Sequence, residues 1–359
     1  MSAVLVECVT KGRKELIGEL KELAESRGYV VKELVVQRRS KCDPAFVIGR
    51  GKLQRLKDLI AKLGVNNVIF ANTLKAGQAF RIRKELGWQV NVIDRNLVIL
   101  EIFEQRAMTT EAKLQIELAR LKYTLPWTRE FVRYRNLYGE QVGFGAMGEY
   151  LHKTYEANAR KRIRLLEEKL RRIRRRGEEL LKKRREIGLP VVSLTGYTQA
   201  GKTTFFNAIT NESKPVGLGP FSTLSTCARR VDFAGRSFIV VDSIGFIEEL
   251  HPLILNAFYT TLSELIMSDV ILLFVDASEP LNEVSRKALT ANKVLRELAA
   301  GPSMIVCLNK IDKIDEVKLN EVITMLHKIF PSYPLIPISA KTGTHVSKLL
   351  FEVVKFISA

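Results

Sequence analysis

Four short apolar runs, VLVECV (4–9), YVVKELVVQ (29–37), NVIFAN (67–72) and WQVNVID (88–94), punctuate the first hundred residues and predict strands. Amphipathic stretches at 14–26, 52–63 and 76–86 lie between them and predict helices. Such alternation implies a parallel sheet with helices packed on it, here over 1–103. The period then changes. Ala107, Leu114, Leu118, Leu121 and Leu125 fit an a/d heptad with Glu111 as its polar exception. Ala159, Ile163, Leu166, Leu170, Ile173 and Leu180 fit a second, interrupted by Gly177. Two narrow apolar seams in one chain predict an antiparallel coiled-coil hairpin over 104–188.

The segment between the two seams, 126–148, holds Pro126, Gly139, Gly143, Gly145 and Gly148 among aromatics and arginines, and reads as a long, mobile loop of functional use. The first hairpin helix is then short, about 18–20 residues, which argues for pairing within the chain and for a monomer. EIGLP (186–190) closes the second helix, with Gly188 as its cap and Pro190 beyond. A boundary there gives a first domain of 1–188 and a second of 189–359.

At 359 residues the chain is long enough for two cores, and 46% hydrophobic with 27% charged residues describes a folded, soluble protein. No apolar run approaches the roughly 18 residues a membrane helix needs, and the N-terminus shows no signal peptide. Cys8, Cys42, Cys227 and Cys307 are widely spaced and contain no CxxC pair, so reduced thiols and a cytoplasmic location are expected. His152, His251, His327 and His345 show no metal-ligand spacing. Net charge adds a partner class. The formal charge is +18, and residues 151–190 carry 15 Lys/Arg against 6 Glu. The surplus fits a polyanion, either nucleic acid without DNA specificity or an anionic surface; within the segment RRIRRR (171–176) has no acid to balance it, which suits phosphate-backbone contact over a solvated, salt-bridged face.

VVSLTGYTQAGKTTFFNAI (191–209) reads as a strand, a Gly-x4-Gly-Lys-Thr loop and a helix. The loop, Gly196, Tyr197, Thr198, Gln199, Ala200 and Gly201, offers backbone N–H groups to phosphates; Lys202 reaches the β- and γ-phosphates, and the Thr203 hydroxyl ligates Mg²⁺. Asp242, Ser243, Ile244 and Gly245 follow the strand SFIVV, so Asp242 would hold magnesium through water and the Gly245 N–H would meet the γ-phosphate. Asn309, Lys310, Ile311 and Asp312 follow SMIVCLN, and the Asp312 carboxylate can accept the two hydrogen bonds that guanine offers and adenine cannot. Ser339, Ala340 and Lys341 would close over the base. Four pieces at strand ends in this order read as a GTPase binding GTP or GDP with Mg²⁺. Position alone leaves Ser222, Thr223 and Thr226 equally open as the threonine or serine that senses the γ-phosphate through magnesium.

With these residues in place, the chain resembles the HflX family of translational GTPases over essentially its whole length. FVIGRGKLQRL (46–56) is similar to the family's glycine-rich signature, VIDRNLVILEIFEQRAMTTEAKLQIELARLKY (92–123) to the stretch opening its helical hairpin, and GYTQAGKTTFFNAIT and DSIGF to its P-loop and second switch. The resemblance implies an α/β fold: an N-terminal parallel-sheet subdomain with the hairpin, then a Ras-like GTPase domain. It also implies binding to the large ribosomal subunit and its rRNA, and a part in splitting or rescuing stalled ribosomes under stress. By position it makes Phe221, Ser222, Thr223, Leu224 and Ser225 the first-switch motif, with Thr223 the magnesium ligand.

The chain also departs from that pattern. Gln199 stands where the family usually has an Asn associated with potassium coordination, Ser225-Thr226 replaces Asp-Pro, GFGAMGEY (143–150) lacks an Arg-Gly-Pro-Gly-Glu run, and no further domain follows a last helix at 344–357.

Phe246 occupies the place after Gly245 where Ras-type enzymes carry a water-orienting Gln. Phe cannot hydrogen-bond a water, so a slow intrinsic reaction is expected, with Lys202 and magnesium still stabilising charge and a partner completing the site. The family also has a hydrophobic residue at this place. Phe246 then serves either as a gate moved on docking or as plain packing. Two further classes fit the same residues: an RNA-remodelling NTPase, marked by broad use of ATP, and a scaffold GTPase activated by dimerisation, marked by a rate that rises with protein concentration.

Overall fold

The computed structural model describes residues 1–107, 109–137, 145–186, 189–210, 227–242, 268–298 and 303–358. They form two compact units. One contains Met1–Gln105 and Lys113–Arg172; the other contains Arg106–Ala112 and the described residues from Ile173 onward.

The first unit is built on a four-stranded parallel sheet ordered β2-β1-β3-β4, from β1 (Ser2–Thr10), β2 (Val30–Arg39), β3 (Asn67–Phe70) and β4 (Asn91–Asp94). Helices α1 (Ile17–Arg27), α2 (Arg50–Leu63) and α3 (Ala76–Leu86) connect successive strands, as the alternation predicts. Val4, Val6, Leu53, Leu56, Val68, Phe70 and Ile82 close one core between sheet and helices. A further helix, α4 (Arg95–Arg106), starts directly after β4 and is buried from Arg95 through Leu100. Burial on every side removes the 3.6-residue contrast between apolar and polar positions, which is why periodicity does not reveal it.

The hairpin helices are α5 (Thr110–Leu137, 28 residues) and α6 (Gly145–Glu186, 42 residues). Glu117 to Arg162, Lys122 to Glu167 and Arg129 to Glu156 are ion pairs between them, so they lie side by side; the later Arg129 of α5 meets the earlier Glu156 of α6, as helices running in opposite directions require. The expected loop is much shorter than 126–148: residues 126–137 and 145–148 are helical, and 138–144 lie outside the described residues. The first helix exceeds its expected length for the same reason. Pro126 sits inside α5. Its usual cost of about 3 kcal/mol is offset by the side chains around it. Trp127 packs on the first unit's core, and the Tyr123 and Trp127 rings lie 6.1 Å apart.

The α6 seam is as expected at Ala159, Leu166 and Leu170, all buried. On α5 the most buried row is instead Ala112, Ile116, Ala119 and Tyr123, with Leu114, Leu118, Leu121 and Leu125 half-buried beside it. The Tyr123 hydroxyl donates to Asp94 Oδ2 at 2.5 Å, and Asn96 Nδ2 donates to the same hydroxyl at 3.1 Å. Packing of this row on the α/β core, which a two-helix heptad does not contain, rotates the buried face.

In the second unit six strands run in the order β10-β9-β8-β5-β7-β6. They are β5 (Val191–Gly196), β6 (Cys227–Phe233), β7 (Arg236–Asp242), β8 (Val270–Asp276), β9 (Ser303–Asn309) and β10 (Leu335–Pro337). All pairs are parallel except β6 with β7, a hairpin closed by Ala234 and Gly235 at positive φ. Helices α7 (Lys202–Thr210), α8 (Leu281–Leu298), α9 (Glu316–Ile329) and α10 (Val346–Ser358) accompany the sheet.

Alternation along β8 divides the core. Leu272 and Phe274 join Phe205, Phe238 and Leu349, whereas Ile271, Leu273 and Val275 join Val284, Leu326 and Phe330. Both faces of the sheet are therefore covered, as a parallel sheet requires. Among the described residues no helix is long and apolar enough to cross a membrane, and Cys8, Cys42 and Cys307 are free thiols.

Candidate functional site

In an open parallel sheet, ligand sites form outside the carboxyl ends of the strands. Here β5, β7, β8, β9 and β10 end at Gly196, Asp242, Asp276, Asn309 and Pro337, and the predicted site residues follow these ends. The β5–α7 turn is forced by its glycines. Gly196 has φ 136, and a Cβ there would meet the Phe274 carbonyl oxygen at 2.3 Å. A Cβ on Gly201 would lie 2.1 Å from Asn309 Nδ2. The backbone approaches so closely that only glycine fits either position. Between them Gln199 is exposed at φ 65, Ala200 is buried, and Tyr197 lies under Lys287, whose Nζ is 5.6 Å from the ring centre. Thr198 is half-buried.

Lys202 and Thr203 open α7 and are both buried. The Lys202 ammonium donates to the carbonyls of Gly196 at 3.0 Å and Tyr197 at 2.8 Å, so it lies across its own loop. Burial pulls its pKa down to about 8, against the opposing pull of Asp242. Asp242 is fully buried at the end of β7, and its Oδ2 lies 3.4 Å from Thr203 Oγ1. Two hard oxygen donors converge there beside a phosphate-binding turn. This donor set fits Mg²⁺, which takes one or two protein oxygens and completes its shell with phosphate and water. Among the described residues no group of three His, Cys, Asp or Glu could form an all-protein metal cage.

The second half of the site is a set of loops held by one amide. Asn309 Nδ2 donates to the Ala200 carbonyl at 2.8 Å, while Asn309 Oδ1 accepts from the Ala340 N–H at 2.9 Å. Asn309 thus joins the phosphate turn to the turn after β10. Lys310 adopts φ 68, Ile311 N–H donates to Ile338 O at 3.3 Å, and a short 3₁₀ turn covers Ile311–Lys313. Asp312 is exposed, and its Oδ1 accepts from the buried Ser339 hydroxyl at 2.6 Å. The Ser339 Oγ in turn accepts from the Thr342 N–H at 3.2 Å. Lys341 is exposed. Asp312 is therefore aimed by Ser339 and faces water, as a carboxylate reading the edge of a base must.

Phe221, Ser222, Thr223, Leu224, Ser225 and Thr226, and likewise Ser243, Ile244, Gly245 and Phe246, lie outside the described residues. The structure adds Asp276, which pattern reasoning passes over: its Oδ2 is 2.5 Å from Lys310 Nζ. Its one sequence signal is a lone acid ending the apolar run VILLFV.

Three family models match the chain in order: a GTP-binding GTPase N-terminal region over 14–104, a GTP-binding GTPase middle region over 106–184 and a 50S ribosome-binding GTPase over 191–310. A GTPase HflX from Thermofilum pendens is 43% identical over 336 residues, 93% of this chain and 78% of the relative. One from Thermococcus kodakarensis is 40% identical, covering 89% of this chain and 72% of the relative. The crystal structure of a GTP-binding protein from Sulfolobus solfataricus in complex with GDP aligns over 99% of both chains, with a TM-score of 0.54 and 28% identity.

Proposed function

The chain belongs to the HflX family of GTPases, and from that premise we propose that it hydrolyses GTP on the large ribosomal subunit, in ribosome splitting, rescue or a related stress response. GTP binding and hydrolysis come with the family; the ribosomal partner is the step proposed here. The observation that carries it is the charge arrangement on α6. Glu156, Glu167 and Glu168 are committed to Arg129 and Arg160, to Lys122 and to Arg172. Lys161, Arg164, Lys169, Arg171, Arg175 and Arg176 are exposed and make no ion pair among the described residues. At 100° per residue they spread over the face away from Leu166 and Leu170. A cationic face on which six bases face one exposed acid, Glu179, suits an RNA backbone. The apolar seam of α6 is buried within a single chain, which favours this reading over activation by seam pairing between chains.

The chemistry follows from the site. Backbone N–H groups of the Gly196–Thr203 turn and the Lys202 ammonium would bind the β- and γ-phosphates and stabilise the charge that develops as the terminal phosphoryl group leaves. Thr203 and Asp242, with Thr223 from the first switch, would hold Mg²⁺, whose contribution when bound is to neutralise phosphate charge. Asp312, supported by Ser339, would select guanine. The Gly245 N–H would meet the γ-phosphate. Phe246 leaves the attacking water unoriented, so the subunit completes the site, with Phe246 displaced as a gate.

GTP turnover with and without purified large subunits tests this, alongside a chain carrying Arg171→Gln, Arg175→Gln and Arg176→Gln. Stimulation by the subunit that the triple variant loses is the expected result. Rates that ignore the subunit, and rise instead with protein concentration or free RNA, would overturn it.

A further inference from the structure

The Lys310–Asp276 pair ties the base-binding segment to a residue, Asp276, that lies outside every motif identified in the sequence. Asp276 ends β8 directly across the ladder from Asn309, so its position is set by the sheet register. Both carboxylate oxygens are engaged. Oδ2 is 2.5 Å from Lys310 Nζ, and Oδ1 accepts from the Ser278 N–H at 3.0 Å and from its hydroxyl at 2.6 Å. The Ser278 carbonyl accepts from Lys318 Nζ at 2.8 Å, which ties the same turn to α9. The pair is largely withdrawn from water, with 25% of the Lys310 side chain and 11% of the Asp276 side chain exposed. A charge-assisted bond is stronger there than on an open surface.

Lys310 also needs an anchor. Its φ of 68 is a left-handed conformation that costs an L residue energy and persists only where surroundings impose it. Asn309 on one side is fixed by two loops, and Asp312 on the other by Ser339. The Lys310 ammonium is the third tether of the same four residues.

We infer that Asp276 is a positioning residue for the guanine nucleotide: by fixing the Lys310 ammonium to the end of β8 it holds Asn309–Asp312 in the shape that receives the base. This rests on the reading of Asn309–Asp312 as the base-recognition segment.

A double-mutant cycle in the full chain separates the two. GDP dissociation constants are measured for the parent, Asp276→Asn, Lys310→Met and the double variant. Asp276→Asn is expected to weaken GDP about tenfold, the loss typical of one charge-assisted bond. In the Lys310→Met background the same substitution is expected to change the constant less than about twofold, because the group it acts through is gone. Equal losses in both backgrounds, with a lower melting temperature of the nucleotide-free protein, would mean a purely structural role and would overturn the proposal. An unchanged constant in Asp276→Asn would do the same. Should Asp276→Asn not fold, Ser278→Ala loosens the carboxylate without removing it and is expected to cost about threefold; no change there would also overturn the proposal.

Asp312→Asn tests the underlying reading by itself. An amide at 312 donates where the carboxylate accepts, so affinity should move from GDP toward xanthosine diphosphate. If that switch occurs and the cycle fails, Asp276 loses its role and the base segment keeps its own. If the switch does not occur, the base reading falls.

Discussion

Lys202 is taken almost wholly out of water, with two carbonyl oxygens as its hydrogen-bond acceptors. Its pKa in the nucleotide-free chain is about 8, against an ordinary value of 10.5. Between those two values the unfolded chain still carries the proton that the folded chain has released. The Lys202 contribution to the stability of the nucleotide-free protein therefore rises with pH across that window, opposed above the ordinary thiol range by the buried Cys8 and Cys307, and below the window the buried charge costs a constant amount of about 3 kcal/mol. A phosphate facing the ammonium reverses the preference, so nucleotide binding takes up a proton near pH 9. Lys202→Met should remove that contribution, so that the variant gains less stability than the parent between pH 8 and 10, while GDP weakens by about a hundredfold or more. Urea unfolding at pH 7.5 and 9.5 without nucleotide checks this, and identical pH dependence in parent and variant would contradict it. Residues of this kind are legible in a sequence because phosphate chemistry demands Gly, Lys and Thr at fixed spacing. Asp276 is not, because one acid after an apolar strand has no required spacing to anything.

Elements answer to packing more than to pattern. The hairpin shows the difference in energy between its seam and its ion pairs. Leu166 is completely buried, and Leu166→Ala should cost about 2–5 kcal/mol. The Lys122–Glu167 pair is about 40% exposed at both ends, and Glu167→Gln should cost less than about 1 kcal/mol. Denaturant titration of the full chain separates these, and a larger loss for Glu167→Gln would mean that charge, not the seam, holds the helices together. The same balance explains which elements could be read in advance. Helices α1 to α3 carry one wet face, so their period is visible, while β1, β3 and β4 are buried on both faces and stand out as short apolar runs between them. Helix α4 is dry all round from Arg95 to Leu100, and α5 meets a second packing partner at Asp94 and Asn96, which turns its buried face from the leucines toward Tyr123. Pro126 reads locally as a break, and the packing of Tyr123 and Trp127 carries the helix through it.

For the molecule as a whole, the surplus of +18 sets the terms of association with a polyanion. Binding to ribosomal RNA through the outer face of α6 should weaken steeply with salt, since each phosphate neutralised releases a counterion. Neutralising Arg171, Arg175 and Arg176 should flatten the slope of log affinity against log salt by about 2–3. Affinity for large subunits measured between 50 and 300 mM KCl reads this directly, and an unchanged slope would place the contact elsewhere. The order of the chain's parts was legible because each announces itself by a different period or motif. The pairing of β6 with β7 was not, since strand order depends on contacts distant in sequence.

One side-chain amide, that of Asn309, grips the turn that takes phosphates with its nitrogen and the turn beside the base with its oxygen. The two ends of the nucleotide are therefore received by a single jointed piece. On the proposed reading its departure is expected to be concerted, the hold on one end slackening once the other lets go. Guanosine and pyrophosphate supplied as separate fragments should consequently each tighten the binding of the other, a synergy that Asn309→Ala erases.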